Sequence, residues 1–196
     1  EGARGNSGII FAQFLTGMSE DIGDENVLST DLLSRALLTA VDRAYQALNQ
    51  PVEGTMLTVL KDWALSVEKE ARASRNFNDL FTNTLPAAEA SLQETPKKLE
   101  VLRESGVIDA GALGIVDFLK GFHNFLQTGE KAPPNMPEIE IVEEIHREIS
   151  HGEEISNRYC SEFLLKGQSI DLAGLRKSIA RYGDSLIVAG STKKAR

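Results

Sequence analysis

The chain has 196 residues, of which 41% are hydrophobic and 26% are charged, and its formal net charge is −8. This composition is typical of a soluble globular protein and argues against an intrinsically disordered chain. Lysines and arginines are scattered, so the sequence argues against a nucleic-acid partner, whose phosphates are bound by clusters of basic residues. No apolar run approaches the ~20 residues that a membrane-spanning helix needs.

The cysteine content predicts the compartment. Cys160 is the single cysteine, so the chain cannot form an internal disulfide. We therefore expect reducing surroundings and predict a cytoplasmic location. The chain opens on Glu1 without a methionine and ends just after a strand-like run, so we expect a fragment that is truncated at both ends.

Residues 9–128 predict a series of amphipathic helices, because apolar residues return every three or four positions. The first helix follows residues 1–8. The second begins after Ser29, a typical N-cap, and is expected to end at residues 49–51. The third begins near Gly54.

Three more helices are predicted in the second half of this region. The fourth follows Asn76, and Pro96 predicts a fresh start, because proline is tolerated at the first position of a helix. A short helix then leads to Gly106, and the last one ends at Gly129. Strand signals are absent throughout, so we predict a mainly α fold, a helical bundle or barrel.

The character of the sequence changes at Gly129. Residues 131–137 are rich in proline and residues 138–154 are strongly acidic, as expected for a linker. We therefore predict three parts: a helical domain over residues 1–128, a linker over residues 129–157, and the start of a small α/β domain over residues 158–196.

The last part predicts a β-α-β unit. Its strands are expected over residues 159–165 and 185–189, and its helix over residues 171–182. Such a unit is too small to close a core alone. We expect Asp184 to lie in the turn that enters the second strand.

Three segments at predicted helix starts do not fit a purely structural bundle. The first, residues 2–8, contains Gly5, Asn6, Ser7 and Gly8 immediately before an apolar run. Glycines let a backbone approach a ligand, and the free N–H groups at a helix start, at the positive end of the helix dipole, suit a phosphate. The alternative is a glycine-rich N-cap loop that merely turns the chain.

The second segment, residues 51–57, delivers Thr55 to a helix start directly after Gly54. The hydroxyl group of Thr55 could contact a phosphate or a metal-bound water, or it could only cap the helix. Met56 could line an apolar pocket for a nucleotide base, although a methionine at helical spacing is more often part of a core.

The third segment, residues 105–114, contains Asp109, Ala110 and Gly111 at the start of the last helix. Asp109 could simply cap that helix. Alternatively, the loop could cover the adenine or ribose of a nucleotide, with Gly111 and Gly114 permitting close approach.

These three segments, in this order and separated by amphipathic helices, resemble the nucleotide-binding L subunit of dihydroxyacetone kinase (the DhaL type). They resemble most closely its bacterial branch, the fatty acid kinase A-type proteins. The match covers residues 2–8, 51–57 and 107–114. It continues into residues 158–163 and 183–188, which look like the opening of that branch's middle domain. Together the three segments are far more specific than any one of them.

The resemblance implies an antiparallel barrel of α-helices that binds ATP or ADP with Mg²⁺ at one rim. It implies that phosphate is held by Gly5, Asn6, Ser7 and Gly8, that Gly54 and Thr55 flank it, and that Asp109, Ala110 and Gly111 border the nucleoside. Met56 joins these residues as the candidate lining of the base pocket. No catalytic residue is assigned.

The family's magnesium ligands are aspartates on a loop upstream of the first segment, and this sequence does not contain that loop. Phosphoryl transfer depends on metal neutralisation of the developing charge. We therefore expect no metal site here and a fragment that is inactive by itself.

The resemblance also implies a division of labour between two proteins. The chain would be the ATP-binding domain of a kinase, and a fatty-acid-binding partner would present the acceptor, a fatty acid that becomes an acyl phosphate. A dihydroxyacetone-like ketone is the other candidate acceptor. Pairing of two copies of the chain is a further candidate interaction.

A non-enzymatic helical interaction module, whose acidic linker docks a partner, is the alternative function. An Asp-x-Asp-type loop before Glu1 would favour the kinase, and its absence would favour the module.

Other chemically capable residues are interpreted as structural. His123, His146 and His151 lack the spacing of a metal site, so we expect them to pack in the core or at the surface. The acidic run over residues 138–154 is interpreted as a solvated linker helix and not as paired catalytic carboxylates.

Overall fold

A computed structural model describes residues 5–74, 76–130, 159, 161–183 and 186–195. These residues are mainly helical, which confirms the predicted fold class. The helices of the first part are α1 (Gly5–Ile22), α2 (Thr30–Gln46), α3 (Met56–Glu70), α4 (Phe77–Lys98), α5 (Glu100–Ser105) and α6 (Ala110–Thr128).

Helix starts follow the capping signals of the sequence. Ser29 and Asn76 each accept the backbone N–H three positions later, at 3.1 and 2.8 Å, and Asp109 does the same for α6 at 2.7 Å. At the other ends, Gly106 and Gly129 close α5 and α6 with φ angles of 66° and 70°. Glycine adopts this left-handed conformation without a steric penalty, so both predicted helix ends are confirmed.

The predicted helix start at Pro96 is wrong. Helix α4 continues through Pro86 and Pro96 and ends at Lys98. Because proline has no amide hydrogen, Pro96 leaves the carbonyl of Leu92, four positions earlier, without its helical donor. The hydroxyl group of Thr95 donates to that carbonyl at 2.8 Å and replaces the missing bond.

The core lies where α3 packs against α2, α4 and α6, and α1 packs along α2. Its most completely buried large side chains are Leu37, Leu57, Leu60, Leu80 and Val116. Burial of one such side chain stabilises a fold by about 1.5–3 kcal/mol. The apolar stripes that predict the helices therefore also supply the core.

An apolar cavity of about 290 Å³ lies among these helices. Phe11, Phe14, Trp63, Phe81 and Phe122 contribute to its lining, which consists of hydrophobic residues. The indole N–H of Trp63 is buried without a hydrogen-bond partner in the described part of the chain. A phosphate group would find no polar partner in such a space.

The carboxyl-terminal residues form a small antiparallel sheet instead of the predicted β-α-β unit. Strands β1 (Leu165–Lys166), β2 (Gly190–Ser191) and β3 (Lys194–Ala195) are ordered β1-β3-β2, and both pairings are antiparallel. The predicted helix is confirmed as α7 (Leu172–Ile179), which a 3-10 turn extends over Ala180–Tyr182.

Both predicted strands of this unit are wrong in extent. Of the described residues among 159–165, only Leu165 lies in a strand. Ile187 forms an isolated antiparallel bridge to Leu48, so this run pairs with the residues after α2 and not with β1. The same bridge accounts for the end of α2 at Gln46, which is earlier than expected.

Several predicted features lie outside the described residues, namely Cys160, Asp184, His146, His151 and the acidic run. Among the residues that the structure does describe, no helix is long and apolar enough to cross a membrane. The cytoplasmic location stays a prediction.

Thr95→Val should lower the free energy of unfolding by about 1–3 kcal/mol, because the carbonyl of Leu92 and the amide of Asp109 would both lose a hydrogen-bond partner. Urea denaturation measures this change. Thr84→Val is the matched control: Thr84 is equally buried in α4, and its hydroxyl bonds the carbonyl of Leu80, which keeps a helical amide donor. Equal stabilities of the two variants would contradict this role of Thr95.

Candidate functional site

Three helix starts meet at one place, and they are the starts of α1, α3 and α6. A β-carbon placed on Gly111 would lie 3.0 Å from Ser7 Oγ, 3.3 Å from Asp109 Oδ1 and 3.5 Å from Met56 Sδ. Each of the three predicted segments therefore contributes an atom to a common point, which we call the helix junction (Ser7, Met56, Asp109 and Gly111).

The first segment differs from the predicted loop. Gly5, Asn6, Ser7 and Gly8 already belong to the first turn of α1. Asn6 and Ser7 are exposed, whereas Gly8 is half-buried. Because the first N–H groups of a helix have no partner within it, this turn presents backbone donors beside the Ser7 hydroxyl.

The electrostatics of the helix junction favour an anion. None of the three described helices that start there carries an acidic residue in its first turn. Each start is the positive end of a helix dipole. Asp109 is the one carboxylate at the junction, and its Oδ1 accepts the amide of Ala112 as the N-cap of α6. The capping interpretation of Asp109 thus describes its geometry, and the neighbouring Ala110 is exposed.

Thr55 occupies the N-cap position of α3 but does not cap it with its side chain. Its hydroxyl donates instead to the carbonyl of Val52 at 2.8 Å. Met56, the first residue of α3, is buried in the core, and its sulfur reaches the helix junction. Both interpretations of Met56, core residue and site lining, are therefore compatible with its position.

Gly54 shapes the turn before α3. Its φ angle is 83°, and a β-carbon there would lie 2.9 Å from both Leu99 Cβ and Thr95 O. Its amide donates to Thr58 Oγ1 at 2.8 Å. Because this donor is used internally and the residue is buried, Gly54 affects the site through the shape of the backbone.

Sequence reasoning missed the contribution of Thr95. Its Oγ1 accepts the amide of Asp109 at 3.2 Å, and its carbonyl closes the space beside Gly54. One buried side chain at the end of α4 therefore contacts both the second and the third segment. Its position before Pro96 is the signal that could have indicated it, since the proline frees a carbonyl that needs a donor.

Sequence reasoning also missed Glu53, whose carboxylate lies at the centre of a hydrogen-bond network. Glu53 Oε1 accepts from Tyr45 Oη at 3.0 Å and from Lys61 Nζ at 2.7 Å, and Oε2 accepts from Thr58 Oγ1 at 2.5 Å. Burial would raise the pKa of Glu53, but the hydrogen bonds from these three donors outweigh it and lower the pKa to about 2.

The described residues contain no group of three or more His, Cys, Asp and Glu side chains that could hold a metal ion. His123 Nε2 lies 3.0 Å from Thr82 Oγ1 and 3.1 Å from Gln127 Nε2, which are packing contacts. A second cavity, of about 590 Å³, lies between α1 and the carboxyl-terminal residues. Neither cavity is lined by the helix junction, which is a surface feature.

The Glu53 network predicts a pH dependence of stability. Because folding lowers the pKa of Glu53, the network stabilises the fold fully above the unfolded pKa of 4.5 and loses this effect as the pH falls towards 2. The unfolding free energies of the wild type and of Glu53→Gln should differ near neutral pH and converge over that interval, since a protonated carboxyl resembles an amide. Urea denaturation at a series of pH values measures the gap, and a gap that stays constant would contradict the lowered pKa.

Comparison with known proteins gives the family. Residues 1–124 match the family model of the DAK2 domain, and residues 156–196 match that of the FakA-like middle domain, which is named after a fatty acid kinase. Uncharacterized proteins of Staphylococcus aureus (strain USA300) and Staphylococcus haemolyticus (strain JCSC1435) are each 35% identical over 196 residues, or 95% of this chain. The chain spans 36% and 35% of the length of these two relatives.

The resemblance that the sequence indicates is thereby confirmed. DAK2 domains are nucleotide-binding domains of kinase-related proteins, and their nucleotide is ADP or ATP. The segments that carry the resemblance are the ones that the fold brings to the helix junction. The chain belongs to the DAK2 domain family, and its carboxyl-terminal residues belong to the FakA-like middle domain of fatty acid kinases.

Proposed function

We propose that this chain is the nucleotide-binding part of an ATP-dependent kinase and that the nucleotide binds at the helix junction. The observation that carries the proposal is the meeting of Ser7, Met56 and Gly111 within contact distance of one point. These residues come from three separate parts of the chain, and a purely structural bundle has no need to bring three helix starts together.

The donors at the junction suit a phosphate. The first-turn amides of α1, from Gly5 to Gly8, and the Ser7 hydroxyl are hydrogen-bond donors at the positive ends of helix dipoles. The start of α3 at Thr55 adds amides that no side chain caps. We assign the phosphates to this side of the junction.

The opposite side suits the nucleoside. Gly111 has no side chain, so a flat ligand could approach α6 closely there. Met56 Sδ supplies an apolar contact beside it. We assign the base or ribose to Met56 and to the turn formed by Asp109, Ala110 and Gly111.

The described residues do not fit a magnesium ion, because they contain no acidic cluster and Asp109 is engaged in capping α6. Mg²⁺ prefers carboxylate and other oxygen ligands. In the proposed kinase, the ligands of the magnesium that accompanies ATP therefore come from other residues of the whole protein. By itself the described part would bind nucleotide without catalysing transfer.

The middle-domain match supports a fatty acid as the acceptor, presented by a separate fatty-acid-binding protein. The carboxylate oxygen of the acyl chain would attack the γ-phosphorus of ATP, the bond from that phosphorus to the β–γ bridging oxygen would break, and acyl phosphate and ADP would result. We propose that residues 1–128 form the nucleotide domain, residues 129–157 the linker and residues 158–196 the start of the middle domain.

Gly111→Ala tests the location of the site. The added methyl group would project into the helix junction, so we expect the affinity for Mg-ATP, measured by calorimetry, to fall by about tenfold or more. Stability should not fall, because alanine favours a helix by about 1 kcal/mol over glycine.

Gly114→Ala is the matched control. Gly114 lies in the same helix, and a β-carbon there would meet no atom within 4 Å. We expect wild-type affinity in this variant. If the wild type does not bind Mg-ATP, or if the two alanine variants bind it equally well, the proposed site is wrong.

A further inference from the structure

The carboxylate of Glu53 has donors on both oxygens. Tyr45 and Lys61 donate to Oε1, and Thr58 donates to Oε2. An ionised carboxylate only accepts hydrogen bonds, so it satisfies all three donors at once. It also determines the direction of the bond from Thr58, because a hydroxyl group has a single proton to donate.

That direction matters for Gly54. With its proton on Glu53, the Thr58 oxygen faces the Gly54 amide with its lone pairs and accepts from it at 2.8 Å. Glu53, Thr58 and the Gly54 amide thus form one directed chain of hydrogen bonds. A hydrogen bond to a charged group is about twice as strong as a neutral one, which favours this orientation over its reverse.

The turn at Gly54 controls the position of the start of α3. Its left-handed backbone is enclosed by Thr95 and Leu99, and Met56, two residues later, reaches the helix junction with its sulfur. A change of the Gly54 backbone therefore moves the α3 side of the junction relative to Ser7 and Gly111.

We propose that Glu53 is a positioning residue of the nucleotide site, which acts through Thr58 and the Gly54 amide to hold the start of α3 against the other two helix starts. This inference rests on the proposed function. Glu53 itself need not touch the nucleotide. Its task is to keep the Thr58 hydroxyl pointing away from Gly54.

Glu53→Gln is the direct test, because glutamine has the same shape but only one accepting oxygen for three donors. If that oxygen faces Tyr45 and Lys61, the amide nitrogen donates to Thr58, whose proton then points at the Gly54 amide. We expect the affinity for Mg-ATP to fall by about tenfold, with the protein still folded at the temperature of the measurement.

Glu89→Gln is the matched control for the loss of a surface charge. Glu89 pairs with Lys120 at 2.8 Å, and its side chain is 44% exposed against 47% for Glu53. We expect unchanged affinity in this control.

Thr58 variants separate positioning from general stability. Thr58→Val should match Glu53→Gln, and Thr58→Ser, which keeps the hydroxyl group, should retain wild-type affinity. The double variant of Glu53→Gln and Thr58→Val should lose no more affinity than either single one, because both act through the same amide. Additive losses, or wild-type affinity in Glu53→Gln, would overturn the proposal.

Hydrogen exchange of the Gly54 amide, followed by NMR without nucleotide, makes the result independent of the proposed function. Exchange should be faster in Glu53→Gln than in Glu89→Gln, and equal rates would overturn the positioning role even if nucleotide binds. Failure of the wild type to bind Mg-ATP would instead refute the nucleotide site, while the exchange rates would still show whether Glu53 holds the turn.

Discussion

The buried hydroxyl group of Thr95 joins the two loops on which the helix junction depends. Because Pro96 follows it, the carbonyl of Leu92 needs a donor, and Thr95 supplies its proton. The lone pairs of the same oxygen are then free for the amide of Asp109. Its backbone carbonyl leaves room only for a glycine at position 54. One residue at the end of α4 thereby limits where both α3 and α6 can begin.

The charge distribution follows from this construction. The chain is acidic, with a net charge of −8, yet the first turns of α1, α3 and α6 contain no acidic residue. Backbone dipoles supply a positive potential there without clustered lysines or arginines. Lys61, the lysine beside the second segment, is paired with Glu53. A site for an anion of this kind is therefore invisible in the overall charge, because it is made by main-chain groups.

Local signals account for the parts that could be predicted. The N-caps Ser29, Asn76 and Asp109 and the terminal glycines Gly106 and Gly129 act within a few residues of themselves, so their effect is readable from the sequence. The three segments were also identifiable, because glycines at helix starts are unusual in a bundle that serves only packing. Their meeting at one point was implied by the family resemblance and not by any local pattern.

The errors have a common cause, which is that distant partners overrode a local preference. Pro96 is a good helix start in isolation, but the Thr95 hydroxyl repairs the broken bond and α4 continues. The run at residues 186–189 has the composition of a strand, but at Ile187 it pairs with Leu48 at the end of α2. Glu53 escaped notice because one of its donors, Tyr45, belongs to another helix.

The sequence by itself determined that the chain is mainly helical, where most of its helices begin and end, and which three segments are chemically unusual. Periodicity, caps and glycines are short-range properties, so they need no knowledge of the fold. Only the tertiary structure decided that Ser7, Met56 and Gly111 meet, that the Gly54 amide is used internally, and that Glu53 orders the turn before α3. These relations join residues far apart in the chain, and packing of the helices is what brings them within hydrogen-bond distance.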